Sequence, residues 1–188
     1  MANFLIGVDS SGNGNHWTAV NLDETDTVAD SPTDNFATLN PLMYRHSVGV
    51  ATFEDGNLTV STTNSSSSLF NYGSIAINSG QWYWEVTCNV YPSSIVDAAS
   101  VGIDDGARVN DDFTGASYGI TGSNFAVNDV IGIALDCDAN ELKIYKNNSL
   151  YSTTSIADTT YFPFITVFHN SKFTANFGQQ PFKYDPPA

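Results

Sequence analysis

Positive charge is scarce in this 188-residue chain, which has 6 Lys and Arg residues against 20 Asp and Glu residues and a formal net charge of −14 at pH 7. Proteins that bind nucleic acids or anionic membranes use Lys and Arg to neutralise phosphate. The composition therefore argues against a nucleic-acid partner and against binding to an anionic membrane. An acidic, well-solvated surface accounts for this charge without a specific cationic partner.

Long apolar runs and clustered metal-ligating residues are also missing. No segment is long and apolar enough for a membrane helix, and residues 1–8 lack the basic start and apolar stretch of a signal peptide. The two cysteines, Cys88 and Cys137, belong to no Cys-x-x-Cys pair, so no zinc site is expected and no cofactor is predicted. Both cysteines fall at core-facing positions of predicted strands, which favours two buried free thiols over a disulfide.

The sequence is rich in short stretches where apolar and polar residues alternate. Ile131, Ile133 and Leu135 recur at every second position, and Leu142 and Ile144 continue the pattern after a short polar break. A period of two places alternate side chains on one face of a strand, so this stretch predicts a β-hairpin. Such a hairpin cannot keep its apolar face out of water alone and needs further strands over it.

Other strand-like segments are separated by turns rich in Gly, Asn, Asp and Ser. They are residues 48–53, 57–62, 74–77, 81–89, 101–104, 117–121, 129–136, 164–168 and 172–177. No long stretch has the periodicity of a helix. We therefore predict an all-β fold, an antiparallel two-sheet β-sandwich whose inward faces form the core.

Residues 1–47 differ from the rest because they are acidic, contain proline and, after a short strand predicted at residues 4–8, keep no sustained period. We predict that residues 1–47 form an extended arm that packs on the sandwich. Residues 48–188 are predicted to form the sandwich domain itself.

The order of several sequence blocks resembles the SPRY domain family. The blocks are residues 80–86 (GQWYWEV), 101–103 (VGI), 118–119 (YG), 129–136 (DVIGIALD), 142–147 (LKIYKN), 162–163 (FP) and 175–182 (ANFGQQPF). The resemblance implies a bent, concanavalin A-like jelly-roll sandwich that binds partners through loops at one end. It also implies a domain without catalytic residues of its own.

A second resemblance lies in the N-terminal part, in residues 9–17 (DSSGNGNHW), 26–35 (DTVADSPTDN) and 37–42 (ATLNPL). These blocks are similar to a segment that precedes SPRY domains in phage virion proteins, especially marine ones. The resemblance implies location in a virion, with other virion proteins as partners.

Three polar loops are the predicted ligand-contacting segments, residues 91–99, 104–116 and 147–151, because binding residues favour loops held by a rigid scaffold. The alternative is that these loops contact only neighbouring subunits or solvent. The candidate ligand-binding residues in and beside the loops are Tyr91, Arg108, Asp111, Asp112, Tyr118, Asn147, Asn148 and Tyr151.

Asp9, Ser11 and Asn13 are candidate calcium ligands, because they place oxygen atoms at alternate positions as a calcium loop does. A calcium loop has a carboxylate at its twelfth position, and when Asp9 is taken as the first position, the twelfth is Val20. Turn formation explains the same residues and is the favoured interpretation, so no metal is predicted.

Residues suited to catalysis are isolated from one another. Glu85 has no second carboxylate on its strand, whereas a concanavalin-like glucanase needs two facing one cleft. We expect Glu85 to lie opposite a basic residue on a solvated sheet face. His16, His46 and His169 accompany no Ser or Cys nucleophile motif. No enzyme is predicted.

The most aromatic strand contains Trp82, Tyr83 and Trp84. Trp82 and Trp84 share a face with Val86, so they are predicted to be core residues instead of a platform for stacking sugars. Tyr83 points to the other face and is the aromatic residue that could be exposed.

Together these observations predict a non-enzymatic decoration, fibre or adhesion module of a phage particle. Its loops would recognise a host-surface glycan or protein, or another virion protein. Several copies are expected to act together, because weak contacts gain affinity when they are multiplied on one particle. The alternatives are a purely structural virion protein without a host ligand and, less favoured, a glycan-cleaving concanavalin-like enzyme.

Overall fold

The structure, a computed structural model, describes residues 7–9, 11–18, 20, 35–45, 49–63, 68–91, 99–106 and 117–187. The chain divides into two compact units, Met1–Asn35 and Phe36–Ala188. All twelve strands found in the described residues lie in the second unit. None of the helical turns described is long and apolar enough to span a membrane.

The strands form two antiparallel sheets. In chain order they are β1 (Leu39–Arg45), β2 (Thr52–Glu54), β3 (Thr59–Ser61), β4 (Leu69–Gly73), β5 (Gln81–Val90), β6 (Ser100–Asp104), β7 (Ser117–Thr121), β8 (Val130–Asp136), β9 (Glu141–Lys146), β10 (Ser149–Ser155), β11 (Phe162–Val167) and β12 (Lys172–Asn176). One sheet has five strands in the order β1-β4-β11-β6-β7, and the other has seven in the order β10-β9-β8-β5-β12-β3-β2. The predicted two-sheet, all-β fold is confirmed.

The predicted hairpin is β8 and β9, in which Ile133 pairs with Ile144 and Leu135 pairs with Leu142. All four side chains are buried, with 1% or less of their surface exposed. They belong to the main hydrophobic core, together with residues of the five-stranded sheet such as Val101. Burial of large apolar side chains contributes about 1.5–3 kcal/mol each, so this layer is the main source of stability.

Three strands, β1, β4 and β10, lie outside the segments predicted from the sequence. Strand β1 lies in a stretch that was assigned to the irregular arm, and it is an edge strand paired with β4. Strand β10, the edge strand beside β9, begins inside a predicted loop. Conversely, residues 74–77 form only an isolated bridge, from Ile77 to Tyr161, while the strand itself lies earlier, at β4. The predicted strand at residues 4–8 falls largely outside the described residues.

Both cysteines are free, as predicted, but only Cys88 is buried, whereas Cys137 is half-buried. The Cys137 N–H donates to the Gly80 carbonyl oxygen at 3.0 Å, so Cys137 lies beside the start of β5, whereas Cys88 is near its end. Eight residues of extended chain span about 26 Å, far beyond the reach of a disulfide. Burial raises the pKa of the Cys88 thiol to about 12, which makes it an unreactive core group.

A close approach between two strands depends on glycine. Gly102 of β6 lies directly opposite Gly119 of β7. A Cβ atom on Gly102 would lie 2.0 Å from the Tyr118 carbonyl oxygen, and one on Gly119 would lie 2.1 Å from the Val101 carbonyl oxygen. No side chain fits at either position without separating the strands.

Substitution Gly102→Ala should therefore destabilise the domain by about 2 kcal/mol or more, because the strands must move apart. Urea unfolding followed by circular dichroism measures this loss. Thr121→Ala, at an exposed position of the same sheet, is the matched control and should change stability by less than about 0.5 kcal/mol. Equal stability of the two variants would contradict the proposed close approach.

Candidate binding surface

Five large apolar side chains are exposed near one end of the seven-stranded sheet. They are Val50, before β2; Val90, the last residue of β5; Val127, before β8; and Leu150 and Tyr151, near the start of β10. Their exposed fractions range from 45% to 79%. We call these five residues the loop rim. Exposed apolar groups gathered in one region mark interaction surfaces more often than single scattered ones do.

The strand register shows that the residues of the loop rim all lie at the same end of the strands of this sheet. Lys172 pairs with both Val90 and Ser61, and the hydroxyl of Thr62, the residue after Ser61, donates to the Val50 carbonyl oxygen at 3.2 Å. On the other side, Lys146 pairs with Ser149 at the start of β10. Seven strands spaced about 4.8 Å apart extend over about 29 Å, which is the span of the rim.

A polar network centred on the buried residue Asp129 holds the loop that carries Val127. The Asp129 carboxylate lies 2.9 Å from the Lys146 Nζ atom and accepts hydrogen bonds from the Ala126 N–H at 2.6 Å and the Asn147 amide at 2.7 Å. Burial alone would raise the pKa of Asp129, but these donors outweigh it and lower the pKa below its ordinary value. The carboxylate is therefore charged at neutral pH and fixes the loop against β9.

Tyr91 also holds the segment before β8, through contacts with Gly122 and Phe125. Its hydroxyl donates to the Gly122 carbonyl oxygen at 2.6 Å. Its ring packs against Phe125 with a centroid distance of 5.6 Å, and Phe125 packs edge-on against Phe173 of the core at 5.2 Å. Tyr91 was predicted to be a ligand-contacting residue, and what the structure shows is that it anchors the loop.

The predicted residues Asn147, Asn148 and Tyr151 lie at the β9–β10 hairpin. Both asparagines have left-handed φ angles, 50° and 66°, as a two-residue hairpin turn requires, and the Asn147 amide is used by Asp129. Asn148 and Tyr151 are exposed. The structure thus brings Tyr91, Asn147, Asn148 and Tyr151 together at the loop rim, and their role in ligand binding stays a prediction.

Tyr118 lies elsewhere, at the start of β7 in the five-stranded sheet, where its ring packs edge-on against Tyr161 at 6.1 Å. The remaining predicted ligand residues, Arg108, Asp111 and Asp112, lie outside the described residues. The exposed valines of the rim were not predicted, because a lone Val beside a turn carries no sequence signal that separates it from a core residue.

The candidate calcium ligands form a turn within the first unit. The two carboxylate oxygens of Asp9 accept the Ser11 N–H at 2.7 Å and the Asn15 N–H at 3.0 Å, and the hydrogen bonds with Ser11 and Asn15 lower the pKa of Asp9. The Asn13 N–H donates to the Ser11 hydroxyl at 3.4 Å. Within the described ranges, no three or more His, Cys, Asp or Glu side chains cluster as metal ligands. These bonds favour the turn interpretation.

Glu85 is buried, with 4% of its surface exposed, so its predicted place on a solvated face opposite a basic residue is wrong. Its carboxylate accepts the backbone N–H of Lys183 at 2.7 Å, the N–H of Tyr184 at 2.9 Å and the Tyr83 hydroxyl at 3.1 Å. The C-terminal segment covers this part of the sheet. The alternation of residues within the strand cannot predict that a distant segment lies over it. Both oxygens are occupied by structural hydrogen bonds, which does not suit a catalytic acid or nucleophile.

Trp84 is buried in the core as predicted, with 3% exposed, but the same prediction for Trp82 is wrong, because 45% of Trp82 is exposed. Trp82 is the second residue of β5 and its indole N–H donates to the Ser79 carbonyl oxygen at 2.7 Å. Trp82 is on the inward face of β5, but it lies at the end of the strand, where the other sheet no longer covers it.

A β-sandwich of two antiparallel sheets is the class of fold that this geometry defines. The sequence profile of the SPRY domain family matches residues 98–180. The SPRY domain of human HERC1 is similar in structure, with a TM-score of 0.57 and 16% sequence identity over 76% of this chain and 99% of that domain. The PSpry domain of TRIM65 has a TM-score of 0.53 and 11% identity over 76% of this chain and 90% of that chain. No curated protein matches the chain significantly.

These likenesses confirm the predicted SPRY-type fold, which the two solved domains share with residues of the second unit. The predicted resemblance to the SPRY family is likewise confirmed over the matched residues. The origin of the chain in a phage particle stays a prediction.

Substitution Glu85→Ala should release the C-terminal segment, because it removes the acceptor of two partly buried N–H groups, and each such lost hydrogen bond costs about 1 kcal/mol. Trypsin cleavage after Lys183, followed by mass spectrometry, should become at least about tenfold faster. Glu54→Ala, which removes an exposed carboxylate paired with Lys172, is the control and should leave the cleavage rate unchanged. An unchanged rate in Glu85→Ala would contradict the role of Glu85.

Substitution Asp129→Asn should cost about 1–3 kcal/mol of stability at pH 7, because the charged acceptor of Lys146 is lost. A carboxylate with a lowered pKa in the folded state stabilises above the unfolded value, and that contribution is lost as the pH falls through the folded value. The difference between the two proteins should therefore shrink below about pH 4 in urea titrations. A pH-independent difference, or an equal loss in the exposed Asp158→Asn, would refute this account.

Proposed function

We propose that this protein is a non-enzymatic binding module that recognises a protein partner through the loop rim. SPRY domains are typically protein–protein interaction modules, and the matched residues support the same role here. The observation that carries the proposal is the distribution of exposed apolar side chains. In the described part of Phe36–Ala188, five of the seven large apolar residues that are exposed belong to the rim, the others being Leu42 and Trp82.

The way in which the rim is built also supports recognition. The Asp129 network and Tyr91 fix the loop beside Val127, while the β9–β10 hairpin presents Leu150 and Tyr151. Loops that are fixed before binding lose less conformational freedom when the partner arrives. A tyrosine and aliphatic side chains surrounded by polar residues are typical of the central contacts in protein interfaces.

We further propose that the module belongs to a phage virion and binds either another virion protein or a host-surface protein or glycan. The support is the resemblance of residues 9–17, 26–35 and 37–42 to the segment that precedes SPRY domains in virion proteins. A net charge of −14 disfavours nucleic acid and anionic lipid as partners. It is compatible with a partner that binds through shape complementarity and apolar contacts. Multiple copies on one particle would raise the overall affinity.

The double substitution Leu150→Ser with Tyr151→Ser should weaken binding to the partner at least about tenfold, because it removes two exposed apolar contacts. The test compares biotin-labelled wild type and variant for binding to host cells and to purified particles of the source phage. Stability in urea should stay within about 0.5 kcal/mol of wild type, since both residues are exposed.

Thr153→Ala, also exposed on β10, is the matched control and should bind as wild type does. Binding to particles without binding to host cells would identify the partner as a virion protein. If the double variant binds cells and particles as tightly as wild type, the loop rim is not the recognition surface.

A further inference from the structure

Strand β10 has an open edge with little protection against pairing with another strand. In the described part of the chain it pairs on one side only, with β9, and none of its residues is buried. Its seven residues, SLYSTTS, include no charged side chain and no proline. Edge strands present unpaired N–H and C=O groups, and proteins usually protect them with proline, charge, irregular pairing or short length.

The three other edge strands among the described residues carry such protection. Strand β1 contains Pro41, and its register on β4 is irregular. Strand β2 has only three residues, one of which is Glu54, and β7 has five residues with Gly119 at its centre. A glycine inside a strand weakens the strand. β10 is therefore the edge that is best suited to accept a further strand.

The pairing of β10 with β9 shows which backbone groups of β10 are directed to the open edge. The Ile156 N–H donates to the Asn140 carbonyl oxygen at 2.9 Å and so points toward β9. Along an antiparallel strand, successive residues direct their N–H and C=O groups to opposite sides. Thr154 therefore also faces β9, whereas Thr153 and Ser155 direct their backbone groups to the open edge.

A second copy of the same strand can satisfy these groups. If two copies of β10 run antiparallel about a twofold axis at Thr154, Thr153 of each copy lies opposite Ser155 of the other. Each such pair exchanges two N–H···O=C bonds, so the contact forms about four hydrogen bonds. The hydroxyl groups of Thr153 and Ser155 then face each other across the strands, which adds a favourable side-chain pair.

The register of β10 on β9 permits this arrangement. It is regular from Ser152 to Ser155, and its one shift, between Leu150 and Ser152, lies before the stretch that would pair. The rim residues of β10, Leu150 and Tyr151, also precede that stretch. The loop rim is therefore not part of the contact.

The local charge also favours a second copy, although the whole chain has a net charge of −14. Residues 139–157 contain two cations, Lys143 and Lys146, and one anion, Glu141. Lys143 Nζ lies 2.7 Å from the Glu141 carboxylate, and Lys146 Nζ lies 2.9 Å from that of Asp129. Two copies that meet along β10 therefore bring no like charges directly opposite each other.

We propose that two copies of this chain associate through β10, in an antiparallel pair centred on Thr154. The seven-stranded sheets of the two copies then form one continuous sheet, and the loop rims lie at its opposite ends. The contact involves few residues, so it buries less than the roughly 1,200 Å² typical of stable interfaces. The dimer is accordingly weak, with a Kd on the order of 100 μM.

Sedimentation equilibrium of the whole protein, from about 10 μM to about 1 mM, measures this association. The mean mass should rise with concentration from the 20.3 kDa of one chain toward twice that value. Thr153→Pro removes an N–H that β9 does not use, so the monomer should keep its fold while association weakens at least about tenfold. Thr153→Ala keeps that N–H and is the matched control, which should associate as wild type does.

Two double variants test the register, and they replace Thr153→Pro if that protein fails to fold. Thr153→Lys with Ser155→Lys places like charges opposite each other in both symmetry-related pairs and should prevent association. Thr153→Lys with Ser155→Glu places opposite charges there and should associate at least as tightly as wild type. Both positions are exposed, so each variant should fold.

A mean mass of one chain at every concentration would overturn the proposal and leave the edge to a different partner. Equal association of wild type and the variant with two lysines would also overturn it, because the contact would then lie elsewhere. The Leu150→Ser, Tyr151→Ser protein should associate normally, and loss of association there would contradict a contact centred on Thr154. Since the chain alone is measured, failure of the loop rim to bind a partner leaves these results unaffected.

Discussion

The pairing of β5 with β8 is the constraint on which the rest of the structure depends. Trp84 lies opposite Ile133 and Val86 opposite Ile131, and these inward side chains join the core between the two sheets. The same register places the start of β5 beside Asp136 at one end and its last residue, Val90, at the other. The core thus determines the position of the loop rim, which it does not itself form.

The polar face of the same strand shows how a buried carboxyl group can hold a terminal segment through hydrogen bonds. Glu85 lies opposite Gly132, where a Cβ atom would come within 2.6 Å of the Tyr83 hydroxyl. The absent side chain leaves space for Tyr83, whose ring packs edge-on against Phe182 at 4.9 Å. Glycine, tyrosine and glutamate together form the floor on which the C-terminal segment lies, and burial raises the pKa of Tyr83 above its ordinary value.

The sequence alone predicted what depends on local alternation. The β8–β9 hairpin, the aromatic strand β5 and the short strands β6 and β7 follow from a period of two, and the inward parity of Trp84 and Val86 is correct. Strands β1 and β10 were missed because LNPLMYR contains a proline and SLYSTTS is largely polar, so neither resembles a core strand. Both are edge strands, where pairing on one side alone tolerates such residues.

The candidate sites were harder to predict because they depend on which residues the rest of the chain covers. The alternation of the sequence places Trp82 and Trp84 on one face of β5. Only the structure shows that the other sheet covers Trp84 and leaves Trp82 exposed. Glu85 has outward parity, and only the fold shows that the C-terminal segment lies over it. Loop residues Asn148 and Tyr151 were found from the sequence, since turn formers identify the hairpin tip.

Hydrogen exchange of the chain, free and bound to its protein partner, tests most directly whether the loop rim is the recognition surface. The account predicts that added protection is concentrated in the amides of residues 126–128 and 147–151 and is absent from strand β1 at the far edge of the other sheet. Protection centred on β1, with unchanged exchange in those two loops, would contradict it.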